Sequence, residues 1–127
     1  MSIQTAIIGT TTWGTTLGIL LAQKDVPISL LARTEEEADL LASQRRNSRF
    51  LPDTPFPDCL SVTSHPESAL HQAGLVVIAV PSDRLRENVR RIKPHLQAGT
   101  IILSAAKGLE LPKARRMSQV LEDELPA

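Results

Sequence analysis

The sequence has no excess of charge of either sign. Its 14 Lys and Arg residues are matched by 14 Asp and Glu residues, so the formal net charge is zero at pH 7. Domains that bind nucleic acids or anionic membranes usually carry a marked basic excess instead. Arginines do cluster, as in residues 84–91, but acidic residues are interleaved with them, which is typical of solvated helix faces. We therefore expect neither nucleic acid nor membrane as a partner.

Cysteine and long apolar runs are also scarce. Cys59 is the only cysteine, which excludes an internal disulfide and favours a reducing compartment. The longest apolar run, residues 75–80, is far too short to span a bilayer. No basic region followed by a long apolar segment opens the chain, so we expect no signal peptide and a cytoplasmic protein. His65, His71 and His95 share no ligand spacing, so no metal site is expected.

Strand-like and helix-like segments alternate along the chain. With 127 residues, 42% of them apolar, the chain has the size of one domain, spanning residues 1–127. Strands are predicted at residues 3–8, 26–32, 60–63, 75–80 and 100–104, the last two as buried strands. Helices are predicted at residues 13–24, 34–47, 66–72, 82–95 and 112–125, with a loop at 52–58. This order predicts an α/β fold: a Rossmann-type, doubly wound parallel sheet with helices on both faces.

Three of the predicted helices have recognisable start signals. Thr34 is an N-cap followed by three acidic residues, and Glu37 completes a capping box. Ser82 is interpreted as a helix cap rather than a nucleophile, because no histidine base is paired with it. Pro112 suits the first turn of the last helix.

The most informative segment is the glycine turn between the first predicted strand and the first helix. Such a turn lays a diphosphate against N–H groups at the positive end of a helix. Gly9 can supply the tight turn, and Gly14 can let the helix pack closely on the strand. Thr11 stands where the pattern has glycine, so its Cβ would crowd the diphosphate, and glycine alone reaches unusual φ values freely. We therefore predict a Rossmann turn with a defect, unless the Thr11 hydroxyl turns inward to hydrogen-bond a phosphate oxygen.

Residues that follow the strands are the other candidates, because ligands of such sheets bind at the carboxyl ends of the strands. Arg33 follows the second strand, where an NAD-selective domain has an acid, and a planar cation there favours NADP or both cofactors. The alternative interpretation is that Arg33 is a surface arginine that binds no ligand. Lys107 is a candidate for binding an anionic ligand or polarising a carbonyl group. The alternative is that Lys107 is only a solvated lysine. Trp13 either packs in the core or contacts the dinucleotide.

Four ordered motifs resemble those of bacterial NAD(P)-dependent glycerol-3-phosphate dehydrogenases. Residues 9–17 resemble that family's glycine–x–glycine–x–aromatic–glycine–threonine–x–leucine signature, and residues 47–52 its asparagine–x–x–aromatic–leucine–proline stretch. Residues 79–82 match its turn after a strand, and residues 104–110 its lysine–glycine segment. The helix-like residues 117–125 follow as in the family, so the resemblance extends over essentially the whole chain.

The resemblance implies NADP or NAD as the cofactor. It implies that Thr12 and Trp13 contact the dinucleotide, that Arg33 holds its adenosine end, and that Phe50 lies near the cofactor. Lys107 would touch both the cofactor and glycerol phosphate. The implied reaction is reversible hydride transfer between dihydroxyacetone phosphate and sn-glycerol 3-phosphate, for phospholipid synthesis, by a full-length homodimer. The implied cofactor-binding residues are Gly9, Thr11, Thr12, Trp13, Gly14, Arg33, Phe50 and Lys107.

The chain departs from the family pattern at Thr11 and by stopping at Ala127. In the family, the general-acid lysine and most substrate phosphate contacts belong to a second, helical half. We therefore expect no catalytic residue in this chain, which would be an inactive fragment or truncated gene product.

One alternative is a non-catalytic, truncated Rossmann module that holds a nucleotide or a partner protein. A reductase of another phosphorylated or branched acid is disfavoured by the motifs at residues 47–52 and 104–110. A reading frame continuing past Ala127 would favour the enzyme over the module.

Overall fold

The computed structural model describes residues 3–125, in which nine strands and five helices form. Five strands make the central sheet: β1 (Thr5–Ile8), β2 (Ile28–Leu31), β5 (Leu60–Thr63), β6 (Leu75–Ile78) and β7 (Ile101–Ser104). The other four make two small hairpins: β3 (Arg46–Asn47) with β4 (Leu51–Pro55), and β8 (Leu109–Glu110) with β9 (Arg115–Arg116). The helices are α1 (Thr12–Ala22), α2 (Glu35–Gln44), α3 (Pro66–Leu70), α4 (Leu85–Ile92) and α5 (Met117–Glu124).

The order of strands in the sheet is β5-β2-β1-β6-β7, and every neighbouring pair is parallel. From β1 the chain winds outward through β2 to β5, and then returns to build β6 and β7 on the other side of β1. The strand order therefore reverses between β1 and β6, which is the switch point where ligands of such sheets bind. The predicted Rossmann-type architecture is confirmed.

Two apolar layers cover the sheet, which explains why its central strands are apolar at successive positions. Ile7 and Val77 face one layer, together with Ile19 of α1 and Leu41 of α2. Neighbouring strand residues such as Ile8 face the second layer, formed by α3, α4 and α5. Ile7 is fully buried and Ile8 is 1% exposed, so β1 contributes to both layers at once.

Strand β7 differs from the buried strand predicted at residues 100–104. It is an edge strand within the described part of the chain, paired on one side with β6. Ile101 and Leu103 are therefore 61% and 48% exposed, on the face of the sheet that α1 partly covers. The apolar pattern of this strand predicted a strand correctly but did not reveal its position at the edge.

One predicted helix start is wrong, and another differs only in its cap. Residues 82–95 are helical as predicted, as a 3₁₀ turn (Ser82–Arg84), α4 and a second 3₁₀ turn (Lys93–His95), but the N-cap position is Pro81 rather than Ser82. Pro112 lies in the β8–β9 hairpin and follows a cis peptide bond, while the last helix begins at Met117. Proline fits the first helical turn and many other turns alike, so local sequence did not distinguish the two.

The region from residue 45 to residue 58 is also more ordered than predicted. Arg45 takes a left-handed backbone conformation with φ of 52°, so α2 ends at Gln44 rather than near Asn47. The β3–β4 hairpin then occupies residues that include most of the predicted loop at 52–58. This hairpin matters for the site, because it carries Asn47 to the glycine turn.

Several clustered arginines connect elements rather than covering solvated helix faces, so that expectation is wrong for them. Arg45 donates to the carbonyls of Pro57 and Leu60, at 2.8 and 2.9 Å. Arg91 of α4 donates to the carbonyls of Ala32 and Ser64, at 3.2 and 2.7 Å. A guanidinium satisfies loop carbonyls that no strand partner reaches, and these contacts tether α2 and α4 to the ends of neighbouring strands.

A cluster of ion pairs joins α4 to the β8–β9 hairpin and α5. Arg86 makes a bidentate pair with Glu110, both N···O distances being 2.8 Å. The same guanidinium donates to Glu124 at 2.7 Å and to Asp123 at 3.1 Å. Arg90 also pairs with Glu124, at 2.9 Å. Hydrogen bonds from Arg90 and Arg86 lower the pKa of Glu124 from an ordinary 4.5 to about 2.

We predict acid sensitivity of this cluster. A carboxylate whose pKa is lowered by folding stabilises the protein above its unfolded pKa, and that contribution disappears as the pH falls through the folded pKa. The contribution of Glu124 should therefore be lost between about pH 4.5 and pH 2. Chemical denaturation at a series of pH values should show a shallower acid decline for Glu124→Gln than for the wild type. Glu122→Gln, an exposed neighbour on α5, is the matched control and should follow the wild type. A Glu124 carboxyl that titrates near pH 4.5 by NMR would contradict the prediction.

Candidate functional site

The glycine turn after β1 is fixed by two close backbone approaches. Gly9 has φ of +128°, and a Cβ there would collide with the carbonyl oxygen of Ala79, after β6. A Cβ on Gly14 would collide with the carbonyl oxygen of Gly9 itself. The predicted tight turn at Gly9 is present. Gly14 folds the start of α1 back onto the turn, whereas Gly18 faces the sheet, where an added Cβ would lie 3.4 Å from Cδ1 of Leu60.

Thr11 adopts an ordinary backbone conformation, with φ of −81° and ψ of −172°. The argument that this position needs the freedom of glycine in φ is therefore wrong for this chain. Thr11 is the N-cap of α1, although its side chain makes no capping hydrogen bond to any described residue. The first helical bond runs from Thr15 N–H to the Thr11 carbonyl, at 3.0 Å. The N–H groups of residues 12–14 thus precede the helical hydrogen bonds and are available to an anion.

A pocket of about 450 Å³ opens beside this turn. It lies at the carboxyl ends of β1, β2 and β6, and α4 forms its far side. Three of its residues are arginines, so the pocket suits a ligand with several negative charges. The pocket is lined by Gly9, Thr10, Thr11, Leu31, Arg33, Ala79, Val80, Pro81, Arg84, Glu87, Asn88 and Arg91.

Arg33 enters this pocket and is held by Glu37. Its guanidinium donates to Oε2 of Glu37 at 3.0 Å, and its backbone N–H donates to Oε1 at 3.1 Å. Thr34 accepts the Glu37 N–H at 3.1 Å, as predicted for an N-cap. The Glu37 side chain, however, bonds Arg33 rather than the Thr34 N–H, so the predicted capping box forms only in part. Burial opposes ionisation of Glu37, but hydrogen bonds from Thr10 and Arg33 outweigh it and lower its pKa.

Thr10 and Asn47 are site residues that the sequence did not single out as such. Thr10 is 4% exposed, and its hydroxyl donates to Glu37 at 2.7 Å. Asn47 is 3% exposed, and its amide donates to the Thr10 carbonyl at 2.7 Å and to the Thr15 hydroxyl at 2.9 Å. The half-buried Glu37 and the buried Asn47, from distant segments, therefore hold one residue of the turn. The placement of Asn47 inside a family motif was the only signal in the sequence.

Trp13 contacts the segment that follows β7 and includes Lys107. The Trp13 indole N–H donates to the Ala105 carbonyl at 2.9 Å, and its side chain is 46% exposed. Trp13 is therefore not a core residue. Lys107 is exposed two residues beyond Ala105, and the neighbouring Gly108 approaches Ser82, where an added Cβ would lie 3.0 Å from Oγ. The segment after β7 thus lies between the start of α1 and the turn after β6.

Phe50 is half-buried and is not one of the residues that line the pocket. Its backbone N–H points to Oδ1 of Asn47 at 3.4 Å, and the Arg49 guanidinium lies 5.0 Å from its ring centroid. Phe50 is therefore connected to the glycine turn through Asn47. In residues 3–125, no group of three His, Cys, Asp or Glu side chains could hold a metal ion. Over the same range, no helix combines the length and apolar character that crossing a bilayer requires.

The geometry fits a dinucleotide. The missing Cβ atoms of Gly9 and Gly14 let the Ala79 and Gly9 carbonyls pack against the turn, which places the start of α1 directly after β1. N–H groups at the start of the 11-residue helix α1 can donate to a diphosphate. Arg33 provides a cation at the end of β2, and the apolar Leu31 and Val80 provide surface for a flat base.

Comparisons with known proteins agree with this geometry. The model of a family described as the NAD-dependent glycerol-3-phosphate dehydrogenase N-terminus matches residues 4–127. An NAD(P)+ glycerol-3-phosphate dehydrogenase of Dehalococcoides mccartyi is 52% identical over 120 residues, 94% of this chain and 33% of that protein. One from Chlorobium limicola is 45% identical over 121 residues, 95% of this chain and 36% of that protein.

A solved structure agrees as well. The crystal structure of glycerol-3-phosphate dehydrogenase from Coxiella burnetii superposes with a TM-score of 0.93 at 31% identity, covering 99% of this chain and 38% of that one. The chain spans about a third of the length of the curated relatives it matches. Because the family match extends from residue 4 to the last residue, the chain belongs to the NAD-dependent glycerol-3-phosphate dehydrogenase family and corresponds to its N-terminal domain.

Proposed function

We propose that this chain binds NADP or NAD, as the cofactor-binding part of a glycerol-3-phosphate dehydrogenase. The observation that carries the proposal is the glycine turn: Gly9 lies against Ala79, residues 9–11 line a pocket that contains Arg33, and the N–H groups of residues 12–14 follow at the start of α1. The diphosphate would rest on the start of α1, and the adenosine would occupy the pocket. The turn residues Gly9, Thr11, Thr12, Trp13 and Gly14 would hold the diphosphate.

Lys107 would act on the opposite side of α1 from the adenosine pocket. Its position beyond Ala105, which Trp13 contacts, supports a location near the nicotinamide half of the cofactor. There its ammonium group could contact both the cofactor and the phosphate of glycerol phosphate, as the family resemblance implies. Phe50 would lie near the cofactor through its connection to Asn47.

The proposal for the whole protein is reversible reduction of dihydroxyacetone phosphate to sn-glycerol 3-phosphate, in the cytoplasm, for phospholipid synthesis by a homodimer. The nicotinamide supplies or accepts the hydride when bound. Residues 1–127 would contribute binding and orientation, and the general-acid lysine would belong to the part of the relatives that this chain does not cover.

A nucleotide-binding module without catalysis is the second candidate. The charged groups of the pocket favour this second candidate for the chain taken alone, because they already bond other groups of the protein. Arg33 pairs with Glu37, Arg84 pairs with Glu87 at 3.2 Å, and Arg91 donates to two carbonyls. These contacts suit binding more than proton transfer. Both candidates predict that the purified chain does not reduce dihydroxyacetone phosphate, so a reading frame that continues past Ala127 and encodes the rest of the enzyme is what separates them.

Arg33→Asp tests the proposed adenosine site and the cofactor preference. We expect the wild type to bind NADPH at least as well as NADH, because Arg33 can pair with a 2′-phosphate. The substitution should weaken NADPH more than NADH, since it replaces that partner with a repelling charge. Calorimetric titration, with Trp13 fluorescence as a second signal, gives both dissociation constants. Lys24→Asp is the matched control, because it makes the same charge change at an exposed position at the opposite end of α1. An equal loss for both cofactors would contradict the assignment of Arg33.

Thr11→Gly tests whether the threonine crowds the diphosphate. Overpacking by a side chain costs about 1–3 kcal/mol, which corresponds to roughly 5- to 150-fold in dissociation constant. We expect NADPH to bind more tightly by a factor in that range, with little change in stability, because glycine is tolerated at an N-cap. Thr11→Ser is the matched control, since it keeps the hydroxyl and removes the methyl group. If Thr11→Gly binds NADPH no more tightly than the wild type, the hydroxyl is a ligand and the crowding hypothesis is wrong.

A further inference from the structure

Glu37 connects two residues of the pocket that come from different strand ends. Its carboxylate accepts the Thr10 hydroxyl at 2.7 Å, on the glycine turn, and the Arg33 guanidinium at 3.0 Å, after β2. The Arg33 backbone N–H adds a third bond at 3.1 Å. The side chain of Glu37 is 24% exposed, whereas that of Arg33 is 64% exposed. The acid is therefore a fixed, half-buried support, and the arginine is the more accessible of the two.

This support also changes the charge that a ligand meets. Opposite charges about 3 Å apart cancel much of each other's field a few ångströms away, so Glu37 reduces the attraction of Arg33 for an anion. Of the other two arginines in the described pocket, Arg84 is paired with Glu87, whereas Arg91 donates to the neutral carbonyls of Ala32 and Ser64 and keeps its charge.

Resting on the proposed dinucleotide function, we propose that Glu37 sets the preference between NADPH and NADH by positioning Arg33 while reducing its positive charge. In NAD-selective Rossmann domains, an acid near the end of the second strand accepts the ribose 2′-hydroxyl. Here the acid lies four residues beyond Arg33, in the first turn of α2. A 2′-phosphate is attracted by Arg33 and repelled by Glu37, and the balance of the two lets both cofactors bind.

Glu37→Gln removes the negative charge while keeping the support of the turn. The side-chain oxygen of glutamine can still accept the Thr10 hydroxyl and the Arg33 backbone N–H, whereas its amide nitrogen no longer accepts the Arg33 guanidinium. NADPH should then bind roughly 3- to 10-fold more tightly, and NADH should change by less than about 2-fold. The same contrast should appear between adenosine 2′,5′-bisphosphate and 5′-AMP, which probe the adenosine site without a nicotinamide. The gain for NADPH should shrink as sodium chloride is raised, because salt screens charges.

Glu36→Gln is the matched control, because it removes the same charge from an exposed position in the same helical turn. It should change the NADPH-to-NADH ratio far less than Glu37→Gln does. A purely structural role for Glu37 would weaken both cofactors equally, and that result, or an equal shift in the Glu36 variant, would overturn the inference.

The wild type provides a measurement that does not depend on the folding of a variant. Its NADPH-to-NADH ratio should change little with salt, because the local charges of Arg33 and Glu37 offset each other. A ratio that falls steeply with salt would contradict the proposal. If the wild type binds neither dinucleotide, the proposed function fails and this inference fails with it. If it binds both and Glu37→Gln leaves the ratio unchanged, only this inference fails.

Discussion

The close approach of Gly9 to the Ala79 carbonyl is the constraint on which the rest of the site depends. It brings the carboxyl ends of β1 and β6 together with no side chain between them, at the point where the strand order reverses. Gly14 then lets the first turn of α1 fold back onto Gly9, so the N–H groups that precede the helical hydrogen bonds follow directly after the pocket residues 9–11. Each glycine is required by a backbone neighbour rather than by flexibility, because any Cβ would force the two segments apart. The start of α1 thereby has the geometry that the proposed phosphate site requires.

The turn is held rigid from two sides by residues distant in sequence. Glu37 binds the Thr10 hydroxyl from α2, and Asn47 binds the Thr10 carbonyl from the β3–β4 hairpin. These contacts to the buried Thr10 specify one geometry, since removing either partner leaves a buried polar group of Thr10 unsatisfied. This support gives Thr11 a relaxed backbone despite the missing glycine. It also connects the adenosine end of the pocket, at Arg33, to the helix start, where the diphosphate would lie.

Local patterns in the sequence were sufficient for the architecture and for part of the site. The central strands, the start of α2 at Thr34 and the turn at Gly9 follow from apolar spacing, capping and backbone freedom, which are properties of neighbouring residues. Partners far apart in sequence leave no such local signal. The contacts of Thr10, Glu37 and Asn47 therefore became visible only in three dimensions, as did the tethering role of Arg91. The β8–β9 hairpin was mistaken for a helix start for the same reason, because its helix-like composition belongs to residues that pair across a turn.

The central claim is that the start of α1 receives the phosphates of a dinucleotide. Backbone amide chemical shifts of the isotope-labelled chain, recorded during titration with NADPH, test it most directly. The account predicts that the largest shifts occur at Thr12, Trp13 and Gly14, with accompanying changes at Arg33 and little change in the β8–β9 hairpin. Saturable shifts that bypass the start of α1, or no shifts at millimolar NADPH, would contradict it.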